Sequence, residues 1–152
     1  MKPKVWVFDL DGTLVDSAPS IVLAVNRTLE TLSRPPLPLS AVREMIGEGA
    51  FTLVVRALEA SGGQGEHNPQ EVTQRFLEIY RVMEAEGTTA FPGAETLLRS
   101  LSEKRIPVGL CTNKPDVPTQ QVLTRLGWAN LFGAVLGGDA RPYRKPDPRH
   151  LQ

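Results

Sequence analysis

The sequence predicts an α/β fold: a Rossmann-like parallel sheet core interrupted by a helical insert. Three observations lead there. Val5 to Phe8 form a near-continuous apolar run that stops at Asp9, the pattern of a strand buried on both faces of a parallel sheet. From Pro92 onward, helical and extended patterns alternate, which is the rhythm of βαβ units. Between these regions, residues 17–88 show only helical periodicity and loop signals. The expected organisation is therefore a core made of residues 1–16 and 89–152, with residues 17–88 inserted as a helical domain.

Taken in chain order, the elements follow from local chemistry. Ser17 is placed to cap a helix that has Pro19 in its first turn, and Ile21, Val25, Leu29 and Leu32 recur on one face of it. Arg34-Pro-Pro-Leu-Pro38 ends that helix. Ser40 opens a short segment to Met45, the glycines of Ile46-Gly-Glu-Gly-Ala50 interrupt it, and helical spacing resumes from Phe51 to Ala60. Ser61 to Pro69 is a glycine-rich loop. From Pro69 to Glu86, Val72, Phe76, Ile79, Tyr80 and Met83 share one helical face, and Gly87 closes it. The second part of the core then reads as a helix from Pro92 to about Arg105, a strand over Ile106–Cys111, a helix from Pro115 to Leu126 closed by Gly127, and a strand over Leu131–Leu136.

Composition narrows the function. The 152 residues carry 17 basic and 17 acidic side chains, so no global field attracts nucleic acid or an anionic membrane. No apolar stretch approaches the ~20 residues that span a bilayer, and Asp9 comes too early for a signal peptide. The single cysteine, Cys111, has no partner for an internal disulfide. A cytoplasmic location is the resulting expectation, with monomer and homodimer both left open.

Several residues have the chemistry to act on an anion. Asp9 and Asp11, two apart at the carboxyl end of the first strand, project to one side of an extended chain. Open α/β sheets bind ligands at that edge. Gly12 permits the turn, and backbone N–H groups around it are placed to face an anion. An Asp-Gly pair between apolar runs also signals a β-hairpin, so a plain turn stays open as a reading. Thr112 ends the strand from Ile106, with Asn113 beside it; capping of the following helix is its alternative role. Lys145, before Pro146, is biased toward an extended conformation at the end of a loop, although a solvated lysine is the ordinary case. Two carboxylates, a hydroxyl and an ammonium on one edge suit phosphoryl transfer. Mg2+, which favours carboxylate and phosphate oxygens, would offset the paired negative charge together with Lys145.

Phe8-Asp-Leu-Asp-Gly-Thr-Leu-Val-Asp-Ser17 closely resembles the Asp-x-Asp-x-Thr signature of the haloacid dehalogenase superfamily. Cys111-Thr-Asn-Lys-Pro115 and Lys145-Pro-Asp-Pro148 resemble its second and third motifs, in the expected order. Ser17-Ala-Pro19, Ile46-Gly-Glu-Gly-Ala50 and Gly137-Gly-Asp139 look most like the bacterial phosphoglycolate phosphatases within it. The resemblance implies a Mg2+-dependent hydrolase of a small phosphorylated metabolite, 2-phosphoglycolate first among them. Asp9 is then the nucleophile that becomes an aspartyl-phosphate, with its second oxygen on the metal. Asp11 serves as acid and then base, its carbonyl also on the metal. Thr112, with N–H groups near Leu10 and Asn113, holds the phosphoryl oxygens, and Lys145 offsets their charge. Residues 17–88 act as a cap that excludes water, Ile46 to Ala50 lying nearest the leaving group.

The family pattern continues with an acidic Gly-Asp-x-x-x-Asp motif on a further strand, which completes the metal site and pairs with the first strand. The sequence reaches Gln152 without it, and Asp139 precedes Lys145 and does not fit it. The resemblance thus implies a C-terminally shortened chain with an open sheet edge. An inactive or weakly phosphate-binding chain is the alternative, as are other capped phosphatases, mutases and pyrophosphatases of the superfamily. A phosphonate hydrolase needs a cap lysine, and none occurs between Lys4 and Lys104. A receiver domain lacks such an insert. Trp6 and Trp128 read as packing residues, His67 and His150 have no evident metal partner, and Arg43 and Arg56 are candidates for a substrate carboxylate.

Overall fold

A computed structural model describes residues 5–83 and 87–151 of the chain. Two compact units divide it, one comprising residues 1–16 and 89–152 and the other residues 17–88.

The first unit holds a parallel sheet of β1 (Trp6–Phe8), β4 (Val108–Cys111) and β5 (Ala134–Leu136), in the order β1-β4-β5. The register pairs Val7 with Gly109 and Gly109 with Ala134. Helices α5 (Ala94–Glu103) and α6 (Asp116–Arg125) supply the crossovers. Gly93 precedes α5 in the left-handed region at φ 84°, where the absence of a Cβ removes the strain. Leu10, Leu98, Leu110, Leu123 and Trp128 are almost wholly buried and form the centre of the core. A short antiparallel ribbon of β2 (Val15–Asp16) and β3 (Thr89–Ala90) lies where the chain leaves this unit and returns to it.

The second unit consists of α1 (Ala18–Thr31), α2 (Leu39–Met45), α3 (Ala50–Ala60) and α4 (Pro69–Met83). Ile21, Val25 and Leu29 of α1 meet Leu58 of α3 and Phe76 and Tyr80 of α4 in its core, as their helical spacing requires. The predicted last turn of the fourth helix, residues 84–86, lies outside the described residues. Ser17 does not cap α1 through its side chain. Its backbone is already helical (φ −98°, ψ −4°), so the hydroxyl is not presented to the first-turn N–H groups, as it is from extended backbone. Ser20 Oγ instead donates to the Ser17 carbonyl at 2.9 Å. No helix among the described residues is long and apolar enough to cross a membrane.

One expectation about β1 is corrected. Its apolar run predicts burial on both faces, yet Val5, Trp6 and Val7 are 59%, 49% and 52% exposed. Among the described residues β1 is the end strand of its sheet, and an apolar sequence creates a demand for cover without supplying it. Trp6 stacks on Phe8 with ring centroids 6.1 Å apart, which shields only part of the indole. Trp128, in contrast, is fully buried as a packing residue. The 152-residue chain is expected to self-associate with rising concentration, and Val7→Lys to suppress this by placing charge on the open strand. Sedimentation over a concentration series checks it; identical profiles for parent and variant would contradict an edge-driven association.

Candidate active site

The three parallel strands end on one edge of the sheet, and the candidate residues follow from that. Asp9 comes directly after β1, Thr112 after β4 and Gly137 after β5. The turn after Asp9 is held by the Leu10 carbonyl, which accepts from the N–H groups of Thr13, Leu14 and Val15 at 3.1, 2.9 and 3.2 Å. Gly12 adopts φ 75° and its N–H donates to the Val15 carbonyl at 2.9 Å. Gly12 therefore contributes the turn itself, with its own N–H engaged by the Val15 carbonyl, so a phosphate site at this turn would draw on the N–H groups around it. The turn is not a hairpin either, because β2 pairs with β3 and not with β1.

Each carboxylate has its own ammonium. Lys145 Nζ lies 3.0 Å from Asp9 Oδ1, and Lys114 Nζ lies 3.4 Å from Asp11 Oδ1. The two pairs differ in solvation. The Asp9 and Lys145 side chains are 34% and 28% exposed, whereas those of Asp11 and Lys114 are 12% and 3% exposed. Asp9 is thus the carboxylate open to a ligand, and Asp11 the one held in place behind it.

Thr112 and Asn113 connect these pairs. The Thr112 hydroxyl oxygen accepts the Lys114 N–H at 3.1 Å, which leaves its own O–H as a donor. This local turn, and not a cap on α6, is what the side chain makes. Asn113 Nδ2 donates to the Lys145 carbonyl at 3.0 Å, while Lys145 Nζ also donates to the Cys111 carbonyl at 2.9 Å. Asp9, Asp11, Thr112, Asn113 and Lys145 are in this way drawn into one contact network, with buried Leu10 beneath it.

Close packing of the loop after β5 keeps Lys145 within reach. Gly138 N–H donates to the Lys114 carbonyl at 2.7 Å, and a Cβ on Gly138 would come within 2.1 Å of the Asn113 carbonyl oxygen. A Cβ on Gly137 would meet the Asp116 Cα at 2.5 Å. Glycine is needed at both positions for the loop to lie against residues 113–116. Asp139, which the sequence leaves without a metal role, accepts the first-turn N–H of Asp116 at 2.7 Å and so caps α6 from outside. Beyond Lys145, Arg149 hydrogen bonds hold the Asp147 carboxyl down at about 2.

Lys114 was absent from the sequence-derived site. It lies inside Cys111-Thr-Asn-Lys-Pro115, and that motif is the one signal able to find it. Burial pushes the Cys111 thiol up, with Lys145 opposing and Asp9 adding to the shift, so Cys111 is a packed strand residue and a poor nucleophile. In the helical unit, Arg56 is occupied by Glu48 Oε1 at 2.6 Å, and Arg43 is exposed. Among the described residues no three His, Cys, Asp or Glu side chains converge as a metal cluster. The oxygens of Asp9 and Asp11 still fit Mg2+, which is commonly held by one or two carboxylates with substrate phosphate and water.

A phosphoglycolate phosphatase of Cereibacter sphaeroides is 43% identical over 147 residues, covering 96% of this chain and 67% of that protein. One of Rhodospirillum rubrum is 43% identical over 155 residues, covering 99% of this chain and 64% of its own length. The chain thus spans about two thirds of these relatives. A crystal structure of a predicted phosphoglycolate phosphatase from Haemophilus somnus superposes with a TM-score of 0.91 at 29% identity, over 99% of this chain and 69% of that one. The family model described as haloacid dehalogenase-like hydrolase matches residues 3–152, nearly the whole sequence, and on that match the chain belongs to the haloacid dehalogenase-like hydrolases.

Proposed function

We propose that the chain carries the phosphoryl-transfer machinery of a Mg2+-dependent phosphomonoester hydrolase whose substrate is 2-phosphoglycolate. The observation that carries this reading is the open Asp9 carboxylate, fixed through one oxygen by Lys145 at 3.0 Å, on the same edge as the Thr112 hydroxyl. The substrate is inferred from the relatives, two of which are named phosphoglycolate phosphatase at 43% identity.

The chemistry follows from the donors. Lys145 restrains one Asp9 oxygen and leaves the other to attack phosphorus. A bond from the free Asp9 oxygen to phosphorus forms as the bond from phosphorus to the substrate oxygen breaks, and the departing alkoxide takes a proton that Asp11 gains from solvent as the anionic phosphate enters beside it. Asp11, now a carboxylate beside Lys114, then removes a proton from water that attacks the aspartyl-phosphate, returning Asp9 and releasing phosphate. The Thr112 O–H and the Lys145 ammonium face the charge that spreads over the phosphoryl oxygens. Asp9 and the Asp11 carbonyl are the groups that would hold Mg2+, which when bound supplies further neutralisation of the nucleophile and phosphate charges. Residues 17–88 are proposed as the cap that excludes water during these steps, and a cytoplasmic location suits this metabolite chemistry.

The test is phosphate release from a panel of phosphomonoesters, with and without Mg2+. The highest kcat/KM is expected for 2-phosphoglycolate. A sugar phosphate turned over faster would move the substrate assignment, and phosphate binding without release from any ester would replace hydrolysis by simple anion binding.

A further inference from the structure

The fully buried side chain of His150 has no part in the chemistry above, yet one of its ring nitrogens meets the Lys145 backbone and the other the far end of the loop that carries Lys145. We propose that His150 is a positioning residue: its neutral imidazole holds the backbone of Lys145 so that the ammonium reaches Asp9. The catalytic consequence rests on the function proposed above, whereas the hydrogen bonding does not.

The ring lies in the turn Pro148–Leu151 and is 0% exposed. Its Nε2 is 3.1 Å from the Gly137 carbonyl oxygen, and its Nδ1 is 3.2 Å from the Lys145 backbone nitrogen. A carbonyl can only accept, so Nε2 carries the proton and donates. A backbone N–H can only donate, so Nδ1 is bare and accepts. Both contacts therefore select the same tautomer. The Cys111 thiol closes the third side, with Sγ 3.6 Å from Nδ1 and 3.7 Å from the His150 carbonyl, to which the S–H donates.

This geometry fixes a span as well as a point. Gly137 is the first residue after β5, and Lys145 is the residue that meets Asp9, so one rigid ring ties both ends of the intervening loop together. The start of the loop is held by Gly138 and Asp139 against residues 114–116, but Ala140 to Pro142 and Arg144 are exposed and bury little that could hold its second half. The Lys145 backbone is gripped on both sides, its N–H by His150 and its carbonyl by Asn113 Nδ2 at 3.0 Å. With the backbone fixed, the side chain has one short course, to the Cys111 carbonyl at 2.9 Å and Asp9 at 3.0 Å. A histidine present only to fill space would need neither nitrogen, and a residue of similar size would replace it.

The two nitrogens can be tested separately. Asn at this position retains an acceptor near the site of Nδ1 and loses the reach to Gly137; Gln carries a donor near the site of Nε2 and has no acceptor at the δ position. His150→Asn is expected to keep the Lys145 amide protected from hydrogen exchange and to keep inorganic phosphate affinity, measured with Mg2+ present, within about threefold. His150→Gln is expected to speed exchange of that amide and weaken phosphate binding, each by about tenfold. Nitrogen-15 spectra of the unsubstituted chain should show Nδ1 unprotonated and a coupling across its hydrogen bond to the Lys145 amide. A protonated Nδ1, absence of that coupling, or equal behaviour of the folded Asn and Gln variants would overturn the proposal. Should the chain neither bind phosphate nor turn over an ester, the functional reading fails while the tautomer, coupling and exchange measurements still decide the role of His150.

Discussion

Asp9→Asn is expected to lower phosphate release from a phosphomonoester by about four orders of magnitude and leave the chain folded. The neutral amide is a poor nucleophile and cannot regenerate through an acyl phosphate, so the covalent route closes. The scaffold should hardly notice. Asp9 and Lys145 are 34% and 28% exposed, a setting in which solvent screens the pair and its contribution stays within about 1 kcal/mol. Lys145 also retains its hydrogen bond to the Cys111 carbonyl at 2.9 Å. Single-turnover phosphate release and the thermal midpoint separate the two effects. Retention of more than about a hundredth of the parent rate would exclude Asp9 as the attacking group.

The fold and the site were legible where one local pattern carried the information. The apolar runs before Asp9 and Thr112 announce strands, and parallel strands necessarily end on the same edge, so those two residues could be brought together without coordinates. The ribbon of β2 and β3 could not be found this way. Each strand is two residues long, and two residues show no periodicity; their pairing joins segments far apart in sequence. Gly12 illustrates a different limit. Its positive φ was legible from the Asp-Gly pair, but the N–H direction depends on where Val15 returns. Val5 to Val7 show that hydrophobicity states what a strand needs, while exposure depends on which neighbours are there.

Lysine and histidine were the least legible residues of all. Lys114 is next but one to Thr112, but a lysine is solvated by default, and the tertiary approach of Asp11, which a sequence window does not show, helps make burial of its ammonium tolerable. His150 has its partners on β4, just after β5 and on the Lys145 backbone, none of which a sequence window can join. Loop glycines mark the same dependence. Gly137 and Gly138 look like ordinary turn residues, although the structure requires them for close approach to residues 113–116.

Lys114→Met should produce the largest loss of stability of any substitution at the site, about 3 kcal/mol, seen as a fall in thermal midpoint of roughly 6–12 °C. Methionine fills most of the lysine stem's volume, so the loss reports the ammonium and not a cavity. At 3% and 12% exposure, Lys114 and Asp11 have little water to replace each other, and removal of one leaves the other's charge in poorly solvating surroundings. The backbone N–H of residue 114 survives the substitution and continues to donate to Thr112, which separates this effect from loss of the turn. Pairing Lys114→Met with Asp11→Leu should recover much of the stability, because the double variant buries no charge there, and the cycle should show a coupling of about 2 kcal/mol. Additive losses in that cycle would mean that the 3.4 Å contact carries no energy of its own, and that the turn between Leu10 and Val15 positions Asp11 without help from the Lys114 ammonium.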